Sequence, residues 1–281
     1  MTEHPGFWQA IVEFQFMREA LLASIIVGGL CSVLSVYVVL RGMSFIGQGI
    51  SHAAFGGIAL GLLLFGSTTA AGLPTSLITA AFCLIVAVLI GVVSRKGKVS
   101  ADSAIGIFFA FSMALGVLFV SLRKLYTADL MTYLFGSILA VTRADLILMS
   151  VLSVLILGFI AFSYKELIYY SFDPEMAWAS GLPATVLHYA LLTMLALTIV
   201  ASVKVVGVVL VSAFLVVPGA TARLLTQRFG MMMGLSVILG VASALLGLYA
   251  SHLWDIPTGA TIVIAQFAAF GVAWLRSLRG R

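Results

Sequence analysis

Gln48, Ser51 and His52 stand in the segment RGMSFIGQGISHAAFGGIALG (residues 41–61), inside a long uncharged, apolar run. Gln48 and His52 are four residues apart, so on a helix they project from one face. An ionisable residue within an apolar span marks a candidate functional site, and a neutral imidazole is a common ligand for borderline metals such as zinc. One His is no metal site by itself. A core His hydrogen-bonded to a neighbouring helix is the competing reading. Six Gly (42, 47, 49, 56, 57 and 61) share the segment, as close helix packing requires.

Three further groups break the apolar pattern. In KELIYYSFDPEMAWASGLP (165–183), Asp173 is placed to cap a short helix, Pro174 to open it with Glu175 behind, and Gly181 with Pro183 to close it. Such a helix would offer Met176 and Trp178 to a partner, or serve as an ordinary interfacial turn. In SVKVVGVVLVSAFLVVPG (202–219), Lys204 is expected to snorkel, and Pro218 with Gly219 forms a candidate hinge. In the outer loops, Asp129, Asp145, His252 and Asp255 either guide a cation toward a pore, with Asp255 and His252 at its outer entrance, or are merely solvated. The charge-free piece between Asp129 and Arg143 is too short to span and suggests a half-helix or a surface helix on the outer face.

Other chemistry is missing from the sequence. There is no GxxxxGK[ST] phosphate loop, HExxH pair, clustered Cys set or GxSxG elbow. No residues support an enzymatic reading. Voltage-sensor spacing and a TVGYG filter are absent too.

The elements that must position these residues follow from composition. Of 281 residues 62% are hydrophobic and only 9% charged, with a mean hydropathy of +1.20. A soluble domain carries about 25% charged residues. A span needs about 20 apolar residues to cross ~30 Å of hydrocarbon. The uncharged stretches, with the 66–74 turn dividing the longest, predict nine spans near 19–40, 50–66, 74–94, 102–122, 144–164, 184–201, 205–226, 231–250 and 257–277. Continuous apolar runs, rather than ten-residue alternation, select helices over a barrel. The fold class is an all-α polytopic membrane protein, one transmembrane domain over 1–281.

Lys and Arg placement sets orientation. With the amino end outside and the carboxyl end cytoplasmic, inner loops hold ten basic residues, Arg41, Arg95 and Arg223 among them, against five outside. The net charge of +5 is therefore topogenic. No basic cluster is interleaved with stacking aromatics, so nucleic acid is not an expected partner. Residues 1–18 lack a basic leader and read as an interfacial amphipathic segment with Phe7, Trp8, Ile11, Phe14 and Phe16. Cys31 and Cys83 fall in spans as small hydrophobes.

Taken in order, LLASIIVGGLCSVLSVYVVLRGMSFIGQGISHAAFGGIALG, DLMTYLFGSIL, SFDPEMAWASGLP, VVGVVLVSAFLVVPGATARLL and DIPTGATIVI resemble blocks of the permease subunits of bacterial ABC importers for zinc, manganese or iron. The resemblance covers nearly the whole chain. It implies a type II ABC-importer-like permease in the bacterial cytoplasmic membrane, working as a homodimer with the substrate path on the two-fold axis. Two cytosolic ATPase subunits would bind ATP, and an extracytoplasmic metal-binding protein would deliver the ion. No covalently bound cofactor is implied; the divalent metal is cargo. It further implies that 171–183 is the coupling segment, that Gln48, Ser51 and His52 line the pathway, and that His52 contacts the metal transiently. Many relatives have Asp where this chain has Gln48, which removes a carboxylate from the path.

Two alternatives compete. Cobalamin and iron-siderophore permeases usually have ten spans and a wide cavity. An ion-coupled secondary transporter would bury carboxylates at mid-membrane, whereas every Asp and Glu here is predicted near a span end or in a loop.

Overall fold

A computed structural model describes residues 6–65, 73–96, 99–123 and 141–279. Among these every regular element is a helix: α1 (Phe7–Glu13), α2 (Gln15–Leu40), α3 (Ile46–Phe65), α4 (Leu73–Lys96), α5 (Ala101–Arg123), α6 (Arg143–Phe162), α7 (Tyr164–Phe172), α8 (Pro174–Ala179), α9 (Ala184–Phe214), α10 (Val217–Leu225), α11 (Phe229–Trp254) and α12 (Thr258–Arg279). Nine stretches of the described chain are long and apolar enough to cross a membrane, and they fall where the uncharged runs place them. The seventh, Val205–Leu225, is assembled from the tail of α9 and from α10. Asp129 and the half-helix expected after it lie outside the described residues, as does the turn at 66–72.

Small residues hold the bundle together, because lipid gives apolar helices no solvent-driven reason to associate and close van der Waals contact must do so. A Cβ added at Gly57 would stand 2.8 Å from Thr79 Cα of α4, and one at Gly56 2.9 Å from the Ser112 carbonyl oxygen of α5. α3 is thereby clamped between α4 and α5. It begins at Ile46 rather than near residue 50, since Gly47 against Leu215 and Gly49 against Ile105 outweigh the poor helix propensity of Gly.

α2 and α11 run antiparallel. Gly28 meets Gly240, Ser236 Oγ donates to the Ser32 carbonyl at 2.7 Å, and Tyr37 packs on Phe229 with the rings tilted and their centroids 5.7 Å apart. At the opposite end, Phe7 of α1 packs on Tyr249 (5.0 Å) and His252 (5.7 Å). This antiparallel pair defines the two ends of the bundle. One holds α1, His252 and Asp255; the other holds Arg41, the start of α3, and Arg228.

Two breaks interrupt the helices that follow α8. The expected turn at 202–204 is helical, and the first break sits at Gly207, whose φ of 81° is denied to its Val neighbours. The second falls at Leu215–Val216, just ahead of Pro218. Pro218 is the second residue of α10, where its missing N–H costs nothing. The Gly219 N–H donates to Ser35 Oγ of α2 at 2.9 Å. Gly219 is thus a point of close approach: an added Cβ would lie 2.7 Å from the Ser35 backbone.

Replacing Gly219 with Ala should destabilise the solubilised protein by about 1–3 kcal/mol, the usual cost of overpacking. Thermal unfolding in detergent reads it, and a midpoint equal to the wild-type value would show that α2 and α10 can separate freely.

Candidate functional site

α3 is buried on most of its surface, yet it leaves one stripe uncovered. Phe45 and Gln48 are exposed, and His52 and Phe55 are half-buried along the same face. Ser51 is fully buried and turns into the bundle, away from that stripe. The His52 ring sits edge-on to Phe109 of α5 at 4.7 Å, and its Nδ1 is buried without a hydrogen-bond partner. Gly106, Ala110 and Ala114 lie exposed on α5 beside it. Among the described residues, no three His, Cys, Asp or Glu side chains converge. One copy of the chain therefore presents two neutral donors on this stripe of α3, an imidazole and a carboxamide.

The expected outer-entrance residues lie at the opposite end of the bundle from Gln48. Asp255 ends α11 in the left-handed conformation, φ 52° and ψ 44°, and is exposed. His252 packs on Phe7. Both lie at the far end of the antiparallel α2–α11 pair from the first two turns of α3, so they do not meet Gln48 and His52. Asp145 is the N3 residue of α6, in a capping box with Thr142. It also reaches a cleft of about 270 Å³ between α3, α4, α6 and α9, whose lining is mostly apolar, with Ala54, Ile58, Leu148 and Val200. That cleft opens on a different face of α3 from Gln48.

At the Arg41 end, the 171–183 segment forms the short helix expected of it. Asp173 Oδ1 accepts from the N–H groups of Glu175 (3.0 Å) and Met176 (2.9 Å), and Pro174 is the first helical residue. Gly181, with φ 81°, closes α8: its N–H donates to the Trp178 carbonyl, and the Leu182 N–H to the Ala177 carbonyl, both at 3.0 Å. This is the Schellman arrangement that a left-handed Gly permits. Ala177 is buried beneath, while Phe172, Met176 and Trp178 are exposed, Trp178 by 73%. The helix is held from below and shows an apolar knob.

Sequence reasoning missed a second group at this end. Tyr170 Oη lies 2.8 Å from His188 Nδ1, and the Arg41 guanidinium stands over the Tyr170 ring. The rule that singles out His52, an ionisable residue inside an apolar span, applies equally to His188. Gln266 of α12 was missed too; it is 2% exposed with neither amide atom partnered.

The order of these parts can be set against known proteins. A family model, that of the ABC 3 transport family, matches residues 13–277. The chain belongs to that family. The permease is 38% identical over 277 residues to the manganese transport system membrane protein MntC of Halalkalibacterium halodurans, covering 99% of this chain and 92% of that one. It is 33% identical to the manganese import system permease protein ScaB of Streptococcus gordonii, covering 95% and 94%. Among solved structures, PsaBC from Streptococcus pneumoniae in complex with Fab superposes with a TM-score of 0.83 at 32% identity, covering 95% and 94%. The chain is thus a permease subunit of a metal ABC importer, and not itself an enzyme.

Removing the α8 cap by Asp173→Ala should cost about 1 kcal/mol of local helix stability. Amide exchange across residues 174–179 should rise about fivefold; unchanged exchange would mean that the buried Ala177 alone holds the helix.

Proposed function

We propose that this permease is the transmembrane half of an ATP-driven importer that carries a divalent metal ion, manganese ahead of zinc, across the bacterial cytoplasmic membrane. The observation that carries this reading is the Gln48–His52 pair on the uncovered stripe of α3, in a chain that matches manganese permeases along its whole length. Two copies facing each other across a two-fold axis would bring two imidazoles and two carboxamides to one pathway. The least covered of the nine spans, α5, borders that stripe, and its small residues Gly106, Ala110 and Ala114 give a partner helix close approach. Such a set would hold the ion loosely, as conduction requires, because tight binding would prevent release.

The bundle end rich in Arg41, Arg95, Lys165, Arg223 and Arg228 faces the cytoplasm in this reading, and the amino end lies outside. Cytosolic ATPase subunits dock on Phe172, Met176 and Trp178, with Glu175 at the edge of the contact. An extracytoplasmic metal-binding protein delivers the ion at the Asp255 and His252 end. ATP-driven closure of the ATPase pair pushes α8 and exchanges outward for inward access by rigid-body movement. The breaks at Gly207 and ahead of Pro218 and Gly219 give the seventh span joints at which to flex.

Proteoliposomes holding the permease and its ATPase should take up manganese only with ATP inside the ATPase compartment. Uptake that is equal without ATP would overturn the importer reading. His52→Ala should lower uptake about tenfold, the scale of losing a metal-orienting group, with ATPase association retained; full uptake would return His52 to a packing role. Gln48→Asp should tighten metal binding and slow release, read as a lower half-saturating metal concentration with a lower maximal rate.

A further inference from the structure

A buried polar junction lies beside α8, and nothing in the transport reading uses it. Tyr170 is near the end of α7 and only 2% exposed; His188 is in the second turn of α9 and 5% exposed. Their side chains meet at 2.8 Å, Oη to Nδ1. The Arg41 guanidinium, at the carboxyl end of α2, sits 4.6 Å from the centre of the Tyr170 ring. The other imidazole nitrogen, Nε2, faces α4 at Gly91, where an added Cβ would stand 3.2 Å from it. No hydrogen bond of normal geometry closes on Nε2. Four helices, α2, α4, α7 and α9, meet at this one tyrosine–histidine pair.

Burial pushes the Tyr170 hydroxyl upward, with Arg41 and Arg95 pulling the other way. It therefore keeps its proton at neutral pH and can donate to Nδ1. A polar pair of this kind is costly to leave half-made, because its members have been withdrawn from water. An apolar contact would have filled the same space more cheaply.

The position of the pair suggests why it is polar and directional. α8 is six residues long and joins α9 through Ser180, Gly181, Leu182 and Pro183. A push on α8 carried by that linker alone would be absorbed by rotation about a few backbone bonds. The Tyr170–His188 bond closes the loop from the other side, fixing α7 to the second turn of α9. α9 also packs on α4 at Gly91, through His188, Tyr189 and Leu192, and α4 in turn packs through Thr75 and Thr79 on α3, the helix that carries Gln48 and His52. A displacement of α8 then has a continuous packed route to the stripe.

We propose that the Tyr170–His188 contact, held beneath Arg41, is the positioning link that makes α7, α8 and the start of α9 move as one body. The proposal rests on the docking of an ATPase at α8 put forward above. Tyr170 and His188 touch neither metal nor nucleotide; they act through α9.

The test uses the complete permease–ATPase complex in proteoliposomes, with manganese as the probe and two rates measured together, ions taken up and ATP hydrolysed. Tyr170→Phe keeps the ring beneath Arg41 and removes only the hydroxyl. It should lower ions moved per ATP about fivefold, the worth of one net hydrogen bond, while ATPase association stays at the wild-type value and the unfolding midpoint falls by no more than one half-made buried hydrogen bond removes. His188→Leu should do the same, and His188→Asn, which can place an acceptor near the Nδ1 position, should recover most of the ratio. An unchanged ratio in Tyr170→Phe would overturn the proposal, as would a ratio that falls only in step with lost association or stability. If the wild-type complex hydrolyses ATP without moving manganese, the transport reading fails first. The link is then read by amide exchange with vanadate-trapped nucleotide. Peptides from α7 and from residues 184–192 should change together in the wild type and separately in Tyr170→Phe; a joint change in both would sink the link.

Discussion

A peptide group left unpaired in hydrocarbon costs several kcal/mol, so this chain can leave the helix only where another group takes over the lost bond. At Leu215–Val216 the departure is tolerated because Ser35 of a different helix accepts the Gly219 N–H, and because Pro218 has no N–H to satisfy. At Gly207 it is tolerated because Gly alone among its neighbours reaches a positive φ without strain. Both breaks lie between α8 and α11, in the part of the chain that packs against the start of α3. The same constraint keeps α2, α3 and α11 unbroken, so the bundle has stiff walls and one articulated element.

Small residues make that articulation compatible with a tight bundle. Gly56 and Gly57 let α4 and α5 close on α3 from two sides, and Gly28 and Gly240 do the same for α2 and α11. One consequence is that over residues 46–62 α3 has almost no free surface except the stripe bearing Gln48 and His52. Another is that the stripe is unfinished in a single copy. Two neutral donors on an open face, next to an α5 that is little covered, make chemical sense chiefly when a second surface faces them.

Much of this was legible in the residues. Charge scarcity and the lengths of the uncharged runs gave nine spans within a few residues, because membrane thickness ties span length to sequence directly. The cap of α8 was legible as well, since Asp173, Pro174 and Gly181 act on backbone groups a few residues away. Local chemistry of that kind needs no tertiary information. The start of α3 was misplaced by four residues for the opposite reason: Gly47 and Gly49 disfavour helix locally, and only Leu215 and Ile105, distant in sequence, reverse the preference.

The sequence by itself determined that the chain is a membrane-spanning helical bundle, where each span runs, and that Gln48 and His52 share a helical face, because hydropathy and the 3.6-residue period are properties of neighbouring residues. Only the tertiary structure decided which of the polar residues belong together. It separated Ser51 from the His52 stripe and joined Tyr170 to His188 under Arg41. Those pairings depend on how helices far apart in sequence pack and turn about their axes. Such rotation is set by where glycines allow backbones to touch, and no short stretch of sequence contains that information.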